Sequence, residues 1–162
     1  MDSLATIPET FEIPELASLF IFQQRPIDLP GDLRPVWRIG LIVLLLKTCC
    51  RQSRARFRQL HVLNWGVRNP DNRKALEEAV NGQVPFDTVL VRIEPSLNRA
   101  VDLALGEGLL QRNAGDQIEL TKKGLELAEA IEKDSNLYRP ERDFMGRIKK
   151  RVTETLVDSF FG

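Results

Sequence analysis

Residues 94–127, EPSLNRAVDLALGEGLLQRNAGDQIELTKKGLEL, decide the fold of this chain. Pro95 suits the first turn of a helix, because the N–H group that proline lacks would have no partner there. Apolar residues then recur at helical spacing and predict one buried face, formed by Leu97, Ala100, Val101, Ala104 and Leu105. Gly106 and Gly108 are expected to end this helix.

A β-hairpin and a further helix are predicted directly after it. Residues 110–112 and 117–120 can pair as short strands across the turn Asn-Ala-Gly-Asp at 113–116. Thr121 is placed to cap the next helix, and Gly124 lets that helix lie close to the hairpin. A helix, a hairpin and a helix in this order indicate a winged-helix domain, a fold that binds either DNA or other proteins.

The remaining sequence predicts a mainly α protein in which this hairpin is a small β wing. An N-terminal arm (1–34) precedes a winged-helix domain (35–136), which carries an inserted short helix at 70–82. Within the domain, a strongly apolar first helix is predicted over 35–50 and a second over 53–67. Residues 83–93 form either a short strand of the wing's sheet or the loop that enters the helix at 95. A long C-terminal helix is predicted within 137–162, from Pro140 to about residue 160.

Composition and charge favour a cytoplasmic protein with more than one kind of partner. The chain has 162 residues, is 43% hydrophobic and has no net charge. Its charges are segregated, since residues 34–74 hold ten Lys and Arg against Asp71 alone. The adjacent cysteines, Cys49 and Cys50, are poorly placed for a disulfide and indicate a reducing compartment. No signal peptide is apparent, and the apolar run at 39–46 is too short to span a bilayer.

A catalytic role is not expected from the residues present. His61 is the one histidine, and no His, Cys or carboxylate pattern has metal-ligand spacing. The phosphate-binding glycine loops and the nucleophile elbow are also missing from the sequence. We therefore expect neither cofactor nor metal, and no small-molecule substrate.

Candidate DNA-binding residues lie on the second and third predicted helices. At helical spacing, Arg51, Arg54, Arg58 and His61 share one stripe that could neutralise phosphates without reading sequence. The alternatives are a solvated face or a face that meets an acidic partner. On the helix at 95, the outward positions are Ser96, Asn98, Arg99, Asp102 and Leu103.

The charges around this third helix disfavour sequence-specific reading of the major groove. Asn98 and Arg99 are able to make bidentate base contacts. However, acids surround Arg99, namely Glu94, Asp102 and Glu107. The wing offers only Arg112, which Asp116 and Glu119 oppose. A winged helix that binds protein, with a nonspecific DNA patch on the second helix, fits these charges better.

Two apolar segments are candidates for protein interfaces. In the arm, Leu19, Phe20, Ile21 and Phe22 would be costly to leave in water, so the arm either folds over its own domain or lies across a partner. At the C-terminus, the half of the last helix nearer the domain is expected to complete the core. Its distal half, with Leu156, Phe160 and Phe161, is expected at an interface.

Three segments resemble a small bacterial family: RPIDLPGDLRPVWRIGLIVLLLKTCC (25–50), FRQLHVLNWGVRNPDNRKAL (57–76) and PSLNRAVDLALGEGLLQRNAGDQIELTKKG (95–124). The family comprises the middle components of ABC three-component systems, which are encoded with an SMC-like ATPase and an effector, as in Lamassu-type antiphage defence. The resemblance covers about residues 25 to 130. It implies a noncatalytic winged-helix subunit that bridges the ATPase and the effector, and it supplies no catalytic residues.

Two hypotheses follow. The first is an accessory subunit of an SMC-like ATPase complex that docks ATPase and effector and contacts double-stranded DNA nonspecifically. The alternative is a dimeric winged-helix transcriptional regulator, because the Thr-x-x-Gly pattern at 121–124 also occurs in many regulators. The first predicts copurification with the ATPase, whereas the second predicts sequence-selective binding to a promoter.

Overall fold

The computed structural model describes residues 35–161, apart from the side chain of Phe160. The predicted arm, residues 1–34, lies outside this range. In chain order the described elements are α1 (Pro35–Cys49), a 3-10 helix (Arg51–Ser53), β1 (Arg54–Arg56), α2 (Phe57–Val67), α3 (Pro70–Val80), a second 3-10 helix (Phe86–Thr88), α4 (Pro95–Gly106), β2 (Leu110–Asn113), β3 (Gln117–Leu120), α5 (Lys122–Glu132), α6 (Arg139–Ile148) and α7 (Glu154–Phe161). The described chain is thus mostly helical with one small antiparallel sheet.

Helix α1 lies at the centre of the hydrophobic core. All six residues from Leu41 to Leu46 are at most 1% exposed. Because α2, α4, α5 and α6 all contact it, α1 is buried on every side, as its apolar sequence predicts. None of the helices within residues 35–161 has the length and hydropathy that crossing a membrane requires.

The sheet has three strands in the order β1-β3-β2, and both pairs are antiparallel. Strands β2 and β3 form the predicted hairpin, with Leu110 opposite Leu120 and Asn113 opposite Gln117. Gly115 and Asp116 have positive φ angles in the turn, which is why residues that tolerate this region occur there. The predicted hairpin is confirmed.

Strand β1 is the element that the sequence did not predict. The second helix was expected to begin at Ser53, but Gln52 and Ser53 have φ angles of 55° and 54°, and α2 begins only at Phe57. Ala55 pairs with Ile118 of β3 and is fully buried. Pairing with a strand more than sixty residues away therefore outweighs the local helical spacing, so the predicted start of the second helix is wrong.

The inserted helix is present, and the segment after it is a loop and not a strand. Helix α3 begins after Asn69, whose side chain accepts a hydrogen bond from the Asn72 N–H at 2.9 Å, as the cap signals predict. Between α3 and α4, residues 83–93 contain a 3-10 helix and irregular backbone, and no strand. Of the two alternatives for this segment, the loop that enters the helix at Pro95 is correct.

The predicted boundaries of α4 and α5 are confirmed. Helix α4 runs from Pro95 to Gly106. The Thr121 hydroxyl accepts a hydrogen bond from the Gly124 N–H at 3.1 Å and so caps α5. Gly124 itself packs against the backbone carbonyl of Leu109 at the start of the hairpin. The close approach inferred for this glycine is therefore present.

The single long C-terminal helix is wrong, because the chain forms two helices there. Helix α6 ends at Ile148 and is followed by Lys149, whose φ is 51° and ψ is −132°. Helix α7 begins at Glu154. The break turns Val152 into the core, where it is fully buried, and its carbonyl accepts a hydrogen bond from Gln59 Nε2 at 2.7 Å. Phe144, Met145 and Ile148 of α6 are also buried, so the proximal half completes the core as expected.

Candidate interaction surface

The outward face of α4 is the one that the helical spacing predicts. Exposed positions are Ser96, Asn98, Arg99, Asp102 and Leu103. The inward positions are buried, namely Leu97, Ala100, Val101 and Ala104. Helix α4 therefore presents two candidate base-reading side chains, one acid and one leucine to a partner.

The β2–β3 hairpin, predicted as the wing, does not add positive charge to this face. Arg112 of β2 lies 3.5 Å from an Asp116 carboxylate oxygen and 4.0 Å from one of Asp102. Glu119 of β3 accepts a hydrogen bond from Asn113 at 2.6 Å and lies on the same hairpin. The one arginine of the wing is thus held between two acids, which leaves Arg99 as the basic residue of this face without an ion pair among residues 35–161.

Large apolar side chains are exposed beside α4. Leu103 on the helix is 49% exposed, while Ile93 and Leu90 in the segment before it are 60% and 79% exposed. Leu90 and Ile93 were not among the predicted interface residues. Val89, Leu90 and Val91 are all apolar, so no local pattern distinguishes the buried Val89 from the exposed Leu90.

A buried polar cluster fixes the start of α4. Arg38 of α1 is 2% exposed and donates a hydrogen bond to Asn64 Oδ1 of α2 at 2.6 Å. Its Nη1 atom also lies 3.4 Å from a carboxylate oxygen of Glu94, which forms an ion pair with Arg68 as well. From the sequence, Glu94 was predicted only as one of the acids around Arg99. An arginine within an otherwise apolar helix was the available signal, because buried charges need partners.

The basic stripe predicted for the second helix is not formed. Arg51 lies in the 3-10 helix, Arg54 in β1 and Arg58 in α2, so the three arginines occupy three elements. Arg51 and Arg54 line a cavity of about 550 Å³ together with Lys150. Arg58 lies instead over the Phe161 ring, with its guanidinium carbon 5.3 Å from the ring centre. The positive φ angles at 52 and 53 separate residues that a continuous helix would have aligned.

His61 belongs to the interior and not to the basic surface. It is 6% exposed, and its ring lies 5.0 Å from that of Phe57. Burial lowers the pKa of His61, and a hydrogen bond with the Asn98 side chain partly offsets this effect. Two of the candidate DNA-binding residues, His61 and Asn98, therefore lie beside each other, and the His61 ring is buried.

We expect the free energy of unfolding to fall as the pH is lowered from about 7.5 to about 5.5. Since burial disfavours the charged ring, the unfolded chain binds a proton at His61 more readily than the folded chain does. Stability is therefore highest above the pKa of the unfolded chain and is lost below it. Urea unfolding at both pH values measures this. In His61→Gln most of the difference should disappear, and an unchanged difference would assign it to other groups.

The predicted interface residues of the C-terminus are partly used within the fold. Leu156 and Phe161 are half-buried and pack against the core. Arg56 holds α7 in place through ion pairs with Glu154 at 2.8 Å and Asp158 at 3.6 Å. The Phe160 side chain and the arm residues Leu19, Phe20, Ile21 and Phe22 lie outside what the structure describes.

The cysteines are buried side by side at the end of α1. Both are free thiols, and burial raises the pKa of Cys49 to about 12 and that of Cys50 further. A thiol with so high a pKa is a poor nucleophile at neutral pH. Among residues 35–161, no three side chains of His, Cys, Asp or Glu are placed together to hold a metal ion.

Comparison with known proteins adds no relative from which a function could be transferred. Neither protein-family models, nor curated proteins, nor solved structures give a significant match to this chain.

Proposed function

We propose that this protein is a noncatalytic winged-helix subunit that docks onto an SMC-like ATPase and bridges it to an effector in bacterial antiphage defence. The observation that carries the proposal is the surface formed by α4 and the segment before it. That surface exposes Leu90, Ile93 and Leu103, and the arginine of the hairpin near Asp102 is already paired with acids. Exposed leucine and isoleucine are suited to burial by another protein.

The order of the elements supports the winged-helix part of the proposal. Helix α1, strand β1, helices α2 and α4, and the hairpin β2–β3 follow one another as in that fold, with α3 as an insertion. The strand order β1-β3-β2 places the first strand beside the last, as a winged helix requires. In this arrangement α4 corresponds to the helix that DNA-binding members insert into the groove.

The charges on α4 favour protein over a DNA groove. Asp102 and Asp116 carry the same sign of charge as phosphate, and they flank the Arg112 side chain at 4.0 and 3.5 Å. A dimeric regulator that reads its promoter with α4 would need positive charge around this helix, and the two acids beside Arg112 oppose it. That alternative is therefore less well supported.

The partners in the proposal come from the resemblance of residues 25–130 to the middle components of ABC three-component systems. In such a system the ATPase and effector are encoded beside this subunit. Docking through an apolar face also suits a noncatalytic subunit. Among residues 35–161, no metal-binding cluster is formed and both cysteines are buried. The cytoplasm, where DNA and an SMC-like ATPase meet, is the compartment that the proposal requires.

We expect the double variant Ile93→Glu, Leu103→Glu to lose binding to the SMC-like ATPase encoded by the neighbouring gene. Burying two carboxylates in an apolar interface costs more than 1.4 kcal/mol, so the Kd should rise at least about tenfold. Coexpression and affinity capture test complex formation, and interferometry with the purified ATPase measures the Kd. Because both positions are exposed, the variant should unfold at the wild-type temperature.

Leu137→Glu is the matched control. Leu137 is 45% exposed, close to the value for Leu103, but it lies between α5 and α6. This variant should bind the ATPase as the wild type does. A wild-type chain that ignores the ATPase, or that selects one duplex sequence from a random pool, would contradict the proposal and favour the regulator.

A further inference from the structure

A cavity lined by polar and charged residues lies between β1 and the start of α7. It has a volume of about 550 Å³, and every residue that lines it is polar or charged. Three of these residues are cations from three separate segments: Arg51 from the 3-10 helix, Arg54 from β1 and Lys150 from the connection between α6 and α7. Convergence of like charges from distant parts of the chain is costly, so it calls for an anionic ligand.

The three cations are not neutralised within the fold. Three other arginines near the C-terminal helices are paired with acids: Arg56 with Glu154, Arg73 with Glu141 and Arg147 with Glu77. By contrast, Arg51, Arg54 and Lys150 make no ion pair with any residue from 35 to 161. Their exposure leaves them accessible to a ligand from solution.

Glu154 is the single acid in the lining, and its charge is already used. Its carboxylate lies 2.8 Å from Arg56 Nε. Thr153 hydrogen bonds through its hydroxyl to the Leu156 N–H at 3.2 Å, so α7 begins at the wall of the cavity. The positive end of the helix adds to the field of the three cations.

The walls of the cavity are held by the same contact that breaks the C-terminal helix. Gln59 lines the cavity, is 6% exposed and donates to the Val152 carbonyl at 2.7 Å. This bond ties the connection that carries Lys150 to α2, next to β1. The cavity is therefore a consequence of the tertiary fold and not of flexible surface side chains alone.

We propose that this cavity binds phosphate groups, and specifically the phosphodiester backbone of duplex DNA. Arginine and lysine suit phosphate oxygens, and the cavity offers three such side chains. No aromatic or apolar residue lines it, so a nucleobase would find nothing to stack on. The inference goes beyond the proposed function by adding a contact with DNA. It keeps Arg51 and Arg54 of the predicted basic stripe, omits Arg58 and His61, and adds Lys150.

Salt dependence of binding to a 30-base-pair duplex tests the site. Fluorescence anisotropy of the full chain at several salt concentrations gives the slope of log K against log salt, which changes by about 0.9 for each phosphate contact. The triple variant Arg51→Gln, Arg54→Gln, Lys150→Gln should lower the magnitude of this slope by about 1 or more. Its fold should persist, because the three side chains have no internal ion pair to lose.

The control removes three positive charges elsewhere: Lys122→Gln, Lys133→Gln, Arg139→Gln, all exposed and outside the cavity. It should keep the wild-type slope to within about 0.3, because its charges touch no phosphate. Equal slopes for the cavity variant and the wild type would overturn the proposed site. So would equal losses in the two triple variants, which would mean that only net charge matters.

Inorganic pyrophosphate distinguishes the two sources of a phosphate group. If the wild-type chain binds no duplex at low salt, yet pyrophosphate shifts the NMR signals of Gln59 and Thr155, the DNA assignment is overturned and a free phosphate ligand takes its place. Capture by the ATPase is measured separately. Its persistence would show that the docking proposal stands while the DNA site fails.

Discussion

Replacing Glu94 by glutamine is expected to lower the free energy of unfolding by about 3 kcal/mol. The Glu94 side chain is 12% exposed and pairs with Arg38, whose side chain is 3% exposed. Glutamine keeps the size of the side chain but removes the negative charge, and Arg38 remains buried without a neighbouring carboxylate. The hydrogen bond that Arg38 donates to Asn64 persists and limits the loss of stability. Urea unfolding followed by circular dichroism measures the difference.

Glu78→Gln is the matched control for Glu94→Gln. Glu78 pairs with Lys74 at 4.0 Å on the surface of α3, where solvent screens the interaction. Its unfolding free energy should stay within about 0.5 kcal/mol of the wild type. A loss below about 1 kcal/mol in Glu94→Gln would mean that the buried cluster does not hold the start of α4.

Gly124→Ala is expected to destabilise the fold by about 3 kcal/mol, at the upper end of the usual cost of overpacking. A Cβ atom at this position would collide with the backbone carbonyl of Leu109 and lie 2.9 Å from Leu120 Cδ2. The Leu109 carbonyl cannot move freely, because it accepts a hydrogen bond from the Thr121 N–H at 3.1 Å. Helix α5 must therefore move away from the hairpin. Thermal and urea unfolding measure the loss.

Gly106→Ala makes the same chemical change without the collision. No atom lies within 4 Å of a Cβ at Gly106, which ends α4 with an ordinary negative φ. We expect this variant to be as stable as the wild type or more stable by up to about 1 kcal/mol, since alanine favours the helix. Equal stabilities of Gly124→Ala and Gly106→Ala would show that α5 does not pack tightly on the hairpin.

These two variants differ in how far their environments could be anticipated. The close approach at Gly124 was predictable, because the hairpin and α5 adjoin in sequence. A glycine in the first turn of a helix is explained most simply by a neighbour that leaves no room for a side chain. The surroundings of Glu94 were not. Its partners come from α1 and α2, and no local pattern links Arg38, Asn64 and Arg68 to the residue before Pro95.

The errors in the sequence predictions have the same origin. Arg54 has helical spacing with Arg51 and Arg58, yet residues 54–56 pair with β3 as an edge strand because Ala55 is buried against Ile118. Likewise, the last helix breaks at Lys149 because the core accepts Val152 and Gln59 binds its carbonyl. In both places a distant partner supplies more free energy than the local helical preference.

The amino-acid sequence alone determined the elements whose contacts are local: α1, α3, α4, the β2–β3 hairpin and the Thr121 cap of α5. Caps, turn residues and apolar spacing act over a few residues, so they can be read directly from the chain. Only the tertiary structure decided the third strand, the burial of His61, the cluster at Glu94 and the grouping of Arg51, Arg54 and Lys150. Each of these joins residues from separate elements, and their proximity is set by how the helices pack around α1.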